Sequence, residues 1–240
     1  MPVKWENQCA AVIPCFDEGA QIAQTVRAVK KFLPNVLVVN DGSRDQTSRL
    51  AAEAGAFLID HPTNRGKGVA LRSGCKWALD KGFWWGLLLD GDGQHAAADI
   101  PAFFGCAART QAAMVAGDRS AETKKMPLLR RLVNAWMTAR LSSLTGRRLA
   151  DSQCGFRLVN LEAWSKLKLA AERFEVESEW LVQFLREGFK VEFIPVQVRY
   201  GSEKSSIRPV SDSCRWLRWW LMQRAGGQLT FRAWPFAPVK

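Results

Sequence analysis

Across the first 118 residues, short apolar runs of β type alternate with amphipathic stretches of helical period, and this alternation restricts the possible folds more than any other feature. The runs fall at 10–14, 36–40, 57–60, 84–90 and 113–116, and the helical stretches between them at 20–32, 46–54, 67–81 and 99–109. Strand, helix, strand, helix at these lengths predicts an α/β fold, a mostly parallel sheet covered by helices on both faces. Further on, 154–159 reads as a strand, 177–186 as a helix and 191–200 as a last strand broken by Pro195. With 240 residues, the expectation is one large domain over 1–210 and a basic, tryptophan-rich helix and tail over 211–240.

Sheets of this kind bind ligands beyond the carboxyl ends of their strands. Those ends are polar here: Asp17 and Glu18 follow the first run, Asn40-Asp41-Gly42-Ser43 the second, and Asp90-Gly91-Asp92-Gly93-Gln94-His95 the fourth. Neither GxGxxG nor GxxxxGK[ST] is present, so a nucleotide would be held without a dinucleotide fingerprint or a P-loop. Asp90 and Asp92 stand two apart, which in extended geometry points both carboxylates the same way. Paired hard oxygen ligands suit Mg2+ or Mn2+ bridged to a diphosphate, where the ion would neutralise charge on a departing nucleotide. The competing reading of Asp-Gly-Asp is a surface turn. Asp41 has the chemistry to accept hydrogen bonds from a uracil or guanine edge; the alternative is turn formation and capping of the next helix.

A hydrophobic content of 48% supports a full core and excludes disorder as the main state. The longest apolar stretches, 9–16 and 83–89, fall far short of the ~20 residues that cross a bilayer, and the first seven residues have no apolar signal core. The expected location is therefore the cytoplasm. Cysteines 9, 15, 75, 106, 154 and 214 show neither a CxxC pair nor metal-ligand spacing, so reduced, mostly buried thiols are expected.

The net charge of +11 is unevenly spread. Residues 1–118 are balanced, whereas 119–148 carry eight basic residues against Glu122 alone, and 199–240 carry eight against two acids. No helix-turn-helix, zinc-finger or RNP pattern accompanies this charge, so no nucleic-acid partner is expected. Both basic blocks are amphipathic. Leu129, Leu132, Val133, Trp136 and Leu144 follow Pro127 at near-helical spacing; later, Trp216, Leu217, Trp219, Trp220 and Leu221 share a broad arc, with Arg215 and Arg218 opposite. Such helices suit an anionic membrane interface; the alternative is that their apolar faces pack on the protein.

Five ordered motifs resemble the inverting family 2 glycosyltransferases of GT-A fold, within them the synthases that load dolichyl or other polyprenyl phosphates with glucose or mannose. The motifs are residues 12–18 (VIPCFDE), 38–47 (VVNDGSRDQT), 64–68 (NRGKG), 89–95 (LDGDGQH) and 151–158 (DSQCGFRL), with weaker similarity over 175–181, at Gly188 and at Pro195-Val196. The resemblance implies a Rossmann-like GT-A domain in which Pro14, Glu18 and Asp41 contact the nucleoside, with Arg65 and Lys67 near the donor. It implies that Asp90 and Asp92 hold the metal and diphosphate, with Gln94 beside them, and that Asp151 is a base or acceptor-orienting acid. A hydroxyl acceptor needs such a base. A phosphate acceptor is already anionic and needs arginines to position it, for which Arg119, Arg130, Arg131 and Arg199 are the candidates. Many relatives continue into membrane-spanning helices, whereas a basic, Trp-rich stretch follows Tyr200 here, so attachment at the inner face of a membrane is expected to be peripheral.

The resulting expectation is transfer of a hexose, with inversion, from a nucleotide diphosphate sugar such as UDP-glucose to a lipid-linked acceptor such as polyprenyl phosphate, with Mg2+ or Mn2+ as cofactor. A non-lipid hydroxyl acceptor and a non-catalytic sugar-nucleotide-binding scaffold are the alternatives. A sugar nucleotidyltransferase would begin with a glycine-rich, Arg-containing loop, and 14–18 reads PCFDE instead.

Overall fold

The computed structural model describes residues 4–198 and 209–224. In chain order the elements are α1 (Trp5–Gln8), β1 (Cys9–Cys15), α2 (Ile22–Lys30), β2 (Val36–Asn40), α3 (Thr47–Glu53), β3 (Phe57–Asp60), α4 (Lys67–Asp80), β4 (Trp85–Leu88), α5 (Ile100–Thr110), β5 (Met114–Asp118), α6 (Leu128–Thr145), β6 (Arg157–Asn160), α7 (Leu161–Ser165), α8 (Val176–Arg186), β7 (Val191–Pro195) and α9 (Pro209–Arg224). The strands form one sheet in the order β3-β2-β1-β4-β6-β5-β7. Among the described strands only β6 runs antiparallel to its neighbours, β4 and β5; the other strand pairings are parallel. The α/β class with a mostly parallel sheet is the one expected.

The five N-terminal runs and the four helical stretches between them all form, with ends shifted by at most two residues. The strand expected over 154–159 begins only at Arg157, because the preceding residues turn to bring Gly155 against Asp90. The strand expected over 191–200 ends at Pro195, although Val198 still bridges His95. Arg199, Tyr200 and the tail over 226–240 lie outside the described residues.

Alternate residues of β1 feed two separate cores. Cys9, Ala11, Ile13 and Cys15 face α2 and α5, packing with Ile22, Val26, Val29 and Phe103. Ala10 and Val12 face the other side, with Ala70 and Cys75 of α4, Met137 and Leu141 of α6, Trp180 of α8 and the α9 tryptophans. A strand covered on both faces needs apolar residues at every position, and every residue of β1 and β2 is buried. Cysteines 9, 15, 75, 106 and 154 are free and buried; Cys214 is free and exposed.

The structure divides the arc of α9. Trp216, Trp219 and Trp220 turn inward and are almost fully buried, whereas Leu217 and Leu221 remain exposed. Burying 150–250 Å² of an aromatic ring contributes roughly 4–6 kcal/mol at about 25 cal/mol per Å², so the tryptophans go to the core and the leucines keep the outer face. The Trp216 indole N–H donates to Ser178 Oγ on α8 (2.8 Å), which ties α9 to the domain. Among the described residues no helix is long and apolar enough to cross a membrane.

Candidate active site at the switch point of the sheet

From β1 the chain winds outward through β2 to β3, then returns to β4 on the other side of β1. The carboxyl ends of β1 and β4 therefore flank the point where strand order reverses, the usual ligand crevice of an open α/β sheet. Pro14 is buried at the end of β1, and Glu18 follows in the loop. That loop is locked to the one after β2: Asp17 N–H donates to Ser43 Oγ (2.9 Å), Glu18 N–H to Thr47 Oγ1 (2.9 Å) and Gly19 N–H to Asp45 Oδ2 (2.8 Å), while Arg44 N–H donates to Asp17 Oδ1 (2.8 Å). The Asn-Asp-Gly-Ser turn thus fixes the rim next to β1.

Asp41 has a different environment from the one expected of a base-reading residue. It is buried, and its carboxylate accepts N–H bonds from Arg65 (3.0 and 3.1 Å) and Gly66 (2.7 Å) and contacts His61 Nδ1 at 2.7 Å. These contacts use the oxygens of the carboxylate to hold the Asn-Arg-Gly-Lys-Gly segment, so Asp41 shapes the crevice through that segment. Arg65 itself projects into solvent. Gly66 has φ +98°, and a Cβ there would lie 2.3 Å from the Glu172 carbonyl oxygen; a Cβ at Gly68 would lie 2.2 Å from that of Ala171. Both glycines let the segment pass beneath residues 171–172, which delivers Lys67 to the end of β4.

Lys67 is the hub. Its Nζ lies 2.5 Å from Asp90 Oδ1 and 2.7 Å from Glu177 Oε1 on α8. Burial alone would discharge the ammonium, but Asp90 and Glu177 outweigh it and hold the lysine pKa above its ordinary value. Burial likewise opposes ionisation of Asp90, yet Lys67 and then His95 bring its pKa down to about 2. His95 is pushed down to about 4, by burial first, against the pull of Asp90. Its Nδ1 accepts the Asp90 N–H (3.3 Å), which fits a neutral ring. Gly91 must be glycine, since a Cβ would stand 2.5 Å from Cys15 Sγ. Burial, and after it the carboxylates of Glu18, Asp90, Asp92 and Asp45, raise the Cys15 thiol far above its usual range.

Asp92 is half-buried, and its Oδ1 accepts the Gln94 N–H (3.0 Å). Among the described residues no group of three or more His, Cys, Asp and Glu side chains forms a metal cage. Asp90 and Asp92 nevertheless fit Mg2+ or Mn2+, which commonly takes one or two carboxylates and completes its shell with water and substrate phosphate. Lys67 Nζ contacts one of the Asp90 oxygens, Oδ1.

The 151–158 motif closes the opposite wall. Arg119, buried after β5, donates from Nε to Asp151 Oδ2 (2.6 Å) and from Nη2 to Asp151 Oδ1 (3.0 Å). Burial favours protonation of Asp151, but Arg119 and the Gln153 N–H overcome it and hold the carboxyl below its ordinary range. Arg119 and Asp151 both act electrostatically on His95, and a Cβ at Gly155 would lie 2.9 Å from Asp90 Oδ2 and 3.0 Å from Lys67 Nζ. The motifs of β1, β2, β4 and the 151–158 segment therefore meet around one crevice, with Lys67 and Gly155 at their junction. Arg130 and Arg131 lie half-buried on α6, and Arg199 is outside the described residues.

Three contributors were not singled out as site residues in the sequence, although Arg157 lies within the 151–158 motif and Glu177 within the 175–181 similarity. Glu177 sits in an amphipathic helix, where a carboxylate reads as solvated surface; its contact with Lys67 spans 110 positions. Buried Arg157 donates to the carbonyls of Cys154, Glu177 and Ser152 and ties α8 to the 151–158 segment. His61 bridges Asp41 and Ser73 Oγ.

Comparison with known proteins agrees with this fold. Mycobacterium tuberculosis glucosyl-3-phosphoglycerate synthase, crystallised with Mn2+, UDP-glucose and phosphoglyceric acid, superposes with a TM-score of 0.73 over 93% of this chain and 81% of that one, at 18% identity, a likeness of GT-A fold. The uncharacterized protein MJ1222 of Methanocaldococcus jannaschii is 32% identical over 201 residues, 81% of this chain and 83% of its own. UDP-N-acetylglucosamine–dolichyl-phosphate N-acetylglucosaminyltransferase of Methanococcus voltae is 27% identical over 79% of this chain and 84% of its own, and polyprenol monophosphomannose synthase of Mycolicibacterium smegmatis is 26% identical over 81% and 78%. The profile described as Glycosyl transferase family 2 matches residues 10–167, the span that carries β1 to β6 and every wall of the crevice except Glu177, and the chain belongs to that family.

Proposed function

We propose that this glycosyltransferase moves a hexose from a nucleotide diphosphate sugar, UDP-linked, to a lipid-borne phosphate such as polyprenyl phosphate at a membrane face, with inversion at the anomeric carbon. The observation that carries the acceptor class is the Arg119–Asp151 pair. A hydroxyl acceptor would need a free, basic carboxylate, whereas Asp151 is ion-paired at both oxygens and held acidic. An acceptor that arrives as an anion needs no base. Asp151 then orients Arg119, which with Arg130 and Arg131 positions the phosphate. The dolichyl-phosphate and polyprenol relatives support the same class.

In this reading Pro14, Glu18 and the Asp41-held segment with Arg65 shape the nucleoside end, and Lys67, Asp90 and Gln94 orient the diphosphate and sugar. Asp90 and Asp92 would hold Mg2+ or Mn2+, which when bound neutralises charge on the diphosphate. An acceptor phosphate oxygen forms a bond to the anomeric carbon from the face opposite the donor diphosphate. The bond from that carbon to the diphosphate oxygen breaks, and its electron pair leaves with UDP. No proton is transferred.

The test is turnover of UDP-glucose and related donors with Mn2+ or Mg2+, read by mass spectrometry, in separate reactions with polyprenyl phosphate, with a polyprenol and with 3-phosphoglycerate. Polyprenyl-phosphate hexose with stoichiometric UDP is expected. Transfer to the polyprenol or the soluble acid alone would overturn the acceptor assignment.

A further inference from the structure

Outside the crevice, a hollow of about 290 Å³ opens between α6 and α9, lined by Arg140, Ser143, Leu144, Trp220 and Arg224. Its two guanidinium groups share one aromatic support: Arg140 Cζ lies 5.8 Å and Arg224 Cζ 5.0 Å from the centre of the Trp220 ring, and Arg140 also stands 5.6 Å from that of Trp136. Stacking on a buried ring fixes each planar fork while leaving its N–H edge free for an oxyanion. No carboxylate among the described residues pairs with either arginine. Two cations held together with no carboxylate partner among the described residues, and the Ser143 hydroxyl on the same wall, have the chemistry to bind an oxyanion.

We propose that this hollow binds the phosphate headgroup of an anionic phospholipid. Its volume is close to the roughly 300 Å³ at the small end of ligand sites. The surroundings favour a lipid over a free phosphate. Trp136, one turn before Arg140, is 42% exposed, and Leu217 and Leu221, beside Trp220 on α9, are exposed too. A soluble phosphate gains nothing from an apolar rim, whereas a bilayer takes up leucine and tryptophan just beneath its headgroups. Charge agrees, since α6 carries Arg130, Arg131 and Arg140 without one acidic residue. Leu128, Leu129 and Leu132 extend the same exposed apolar edge towards the start of α6. The headgroup site deepens the proposed lipid-acceptor function and rests on that reading for its purpose, but its binding is measured without donor, so the two can fail separately.

The test is sedimentation of the full chain, without nucleotide or metal, with phosphatidylcholine vesicles containing or lacking 30% phosphatidylglycerol. Binding to the anionic vesicles only is expected. Arg140→Gln with Arg224→Gln should weaken it roughly thirtyfold. Arg140→Lys with Arg224→Lys, which keeps the charge and loses the planar forks, should weaken it about tenfold. Arg27→Gln with Lys31→Gln removes the same charge from α2 and the residue after it, on the opposite face of the sheet, and should change it less than about threefold. Equal losses in the Arg140/Arg224 and Arg27/Lys31 glutamine variants, or full binding by the lysine variant, would reduce the effect to diffuse charge and overturn the site. Saturable binding of inorganic phosphate without vesicle binding would overturn the lipid assignment.

Discussion

Arg119 holds Asp151 by two parallel contacts, Nε to Oδ2 at 2.6 Å and Nη2 to Oδ1 at 3.0 Å, with both side chains nearly excluded from water. Removing one partner of a buried pair strands the other, at a cost of about 3–5 kcal/mol. Arg119→Ala should therefore lower stability by about that amount in urea unfolding as well as abolish transfer. Arg119→Lys, which keeps the charge but not the fork, should fold better and still lose most activity. A fully active Arg119→Lys would remove the bidentate pair from the account.

The site carboxylates and His95 give stability two acid windows. His95 has a folded pKa of about 4 against 6.5 unfolded, so protonation favours the unfolded chain and stability falls as pH drops from about 6.5 to about 4. Asp90 and Asp151 have folded values below 3.8; their contribution is complete above that value and is lost as pH falls through the folded pKa, about 2 for Asp90. Thermal unfolding between pH 7 and about 2 should show both slopes. His95→Asn should flatten the upper one and Asp151→Asn should flatten the lower one.

Gly66 and Gly68 are predicted to matter through volume. An alanine Cβ at either would approach a backbone carbonyl oxygen within 2.3 Å, and at Gly66 it would also strain φ +98°. Each substitution should destabilise by about 1–3 kcal/mol and displace Lys67, raising the KM for donor. Unchanged stability and KM in Gly68→Ala would show that residues 171–172 do not press on the segment.

Lys67 joins Asp90 to Glu177, and Glu177 Oε2 is buried without a hydrogen-bond partner. Glu177→Gln keeps the shape and removes the charge that holds the ammonium towards α8. It should lower kcat about tenfold or more while leaving the UDP Kd within threefold, as expected for a residue acting through Lys67. Equal activity would make Glu177 structural only.

These contacts also mark where the sequence could be read and where it could not. Residues 36–40 could be placed to the residue because an uninterrupted apolar run bounded by turn formers has few alternatives. Asp90 and Asp92 were legible because strand-end carboxylates have no packing reason to be there. The antiparallel direction of β6 was not legible, since it depends on where the chain returns in space. The roles of Asp41 and Glu177 were hidden for a related reason: their partners, the N–H groups of Arg65 and Gly66 and the ammonium of Lys67, lie 24 to 110 positions away. The α9 arc shows a further limit, because helical projection puts Trp216 and Leu217 on one broad face and only packing against Ser178 and α6 separates them.

Calorimetric titration of UDP into the full chain, with and without Mn2+, for the wild type and Asp92→Asn, bears most directly on the acidic crevice as a donor site. The wild type should bind UDP much more tightly with Mn2+, and Asp92→Asn should lose at least about 100-fold of that gain while keeping its melting temperature. Metal-independent binding of equal strength in both proteins, or no binding in either, would contradict the account.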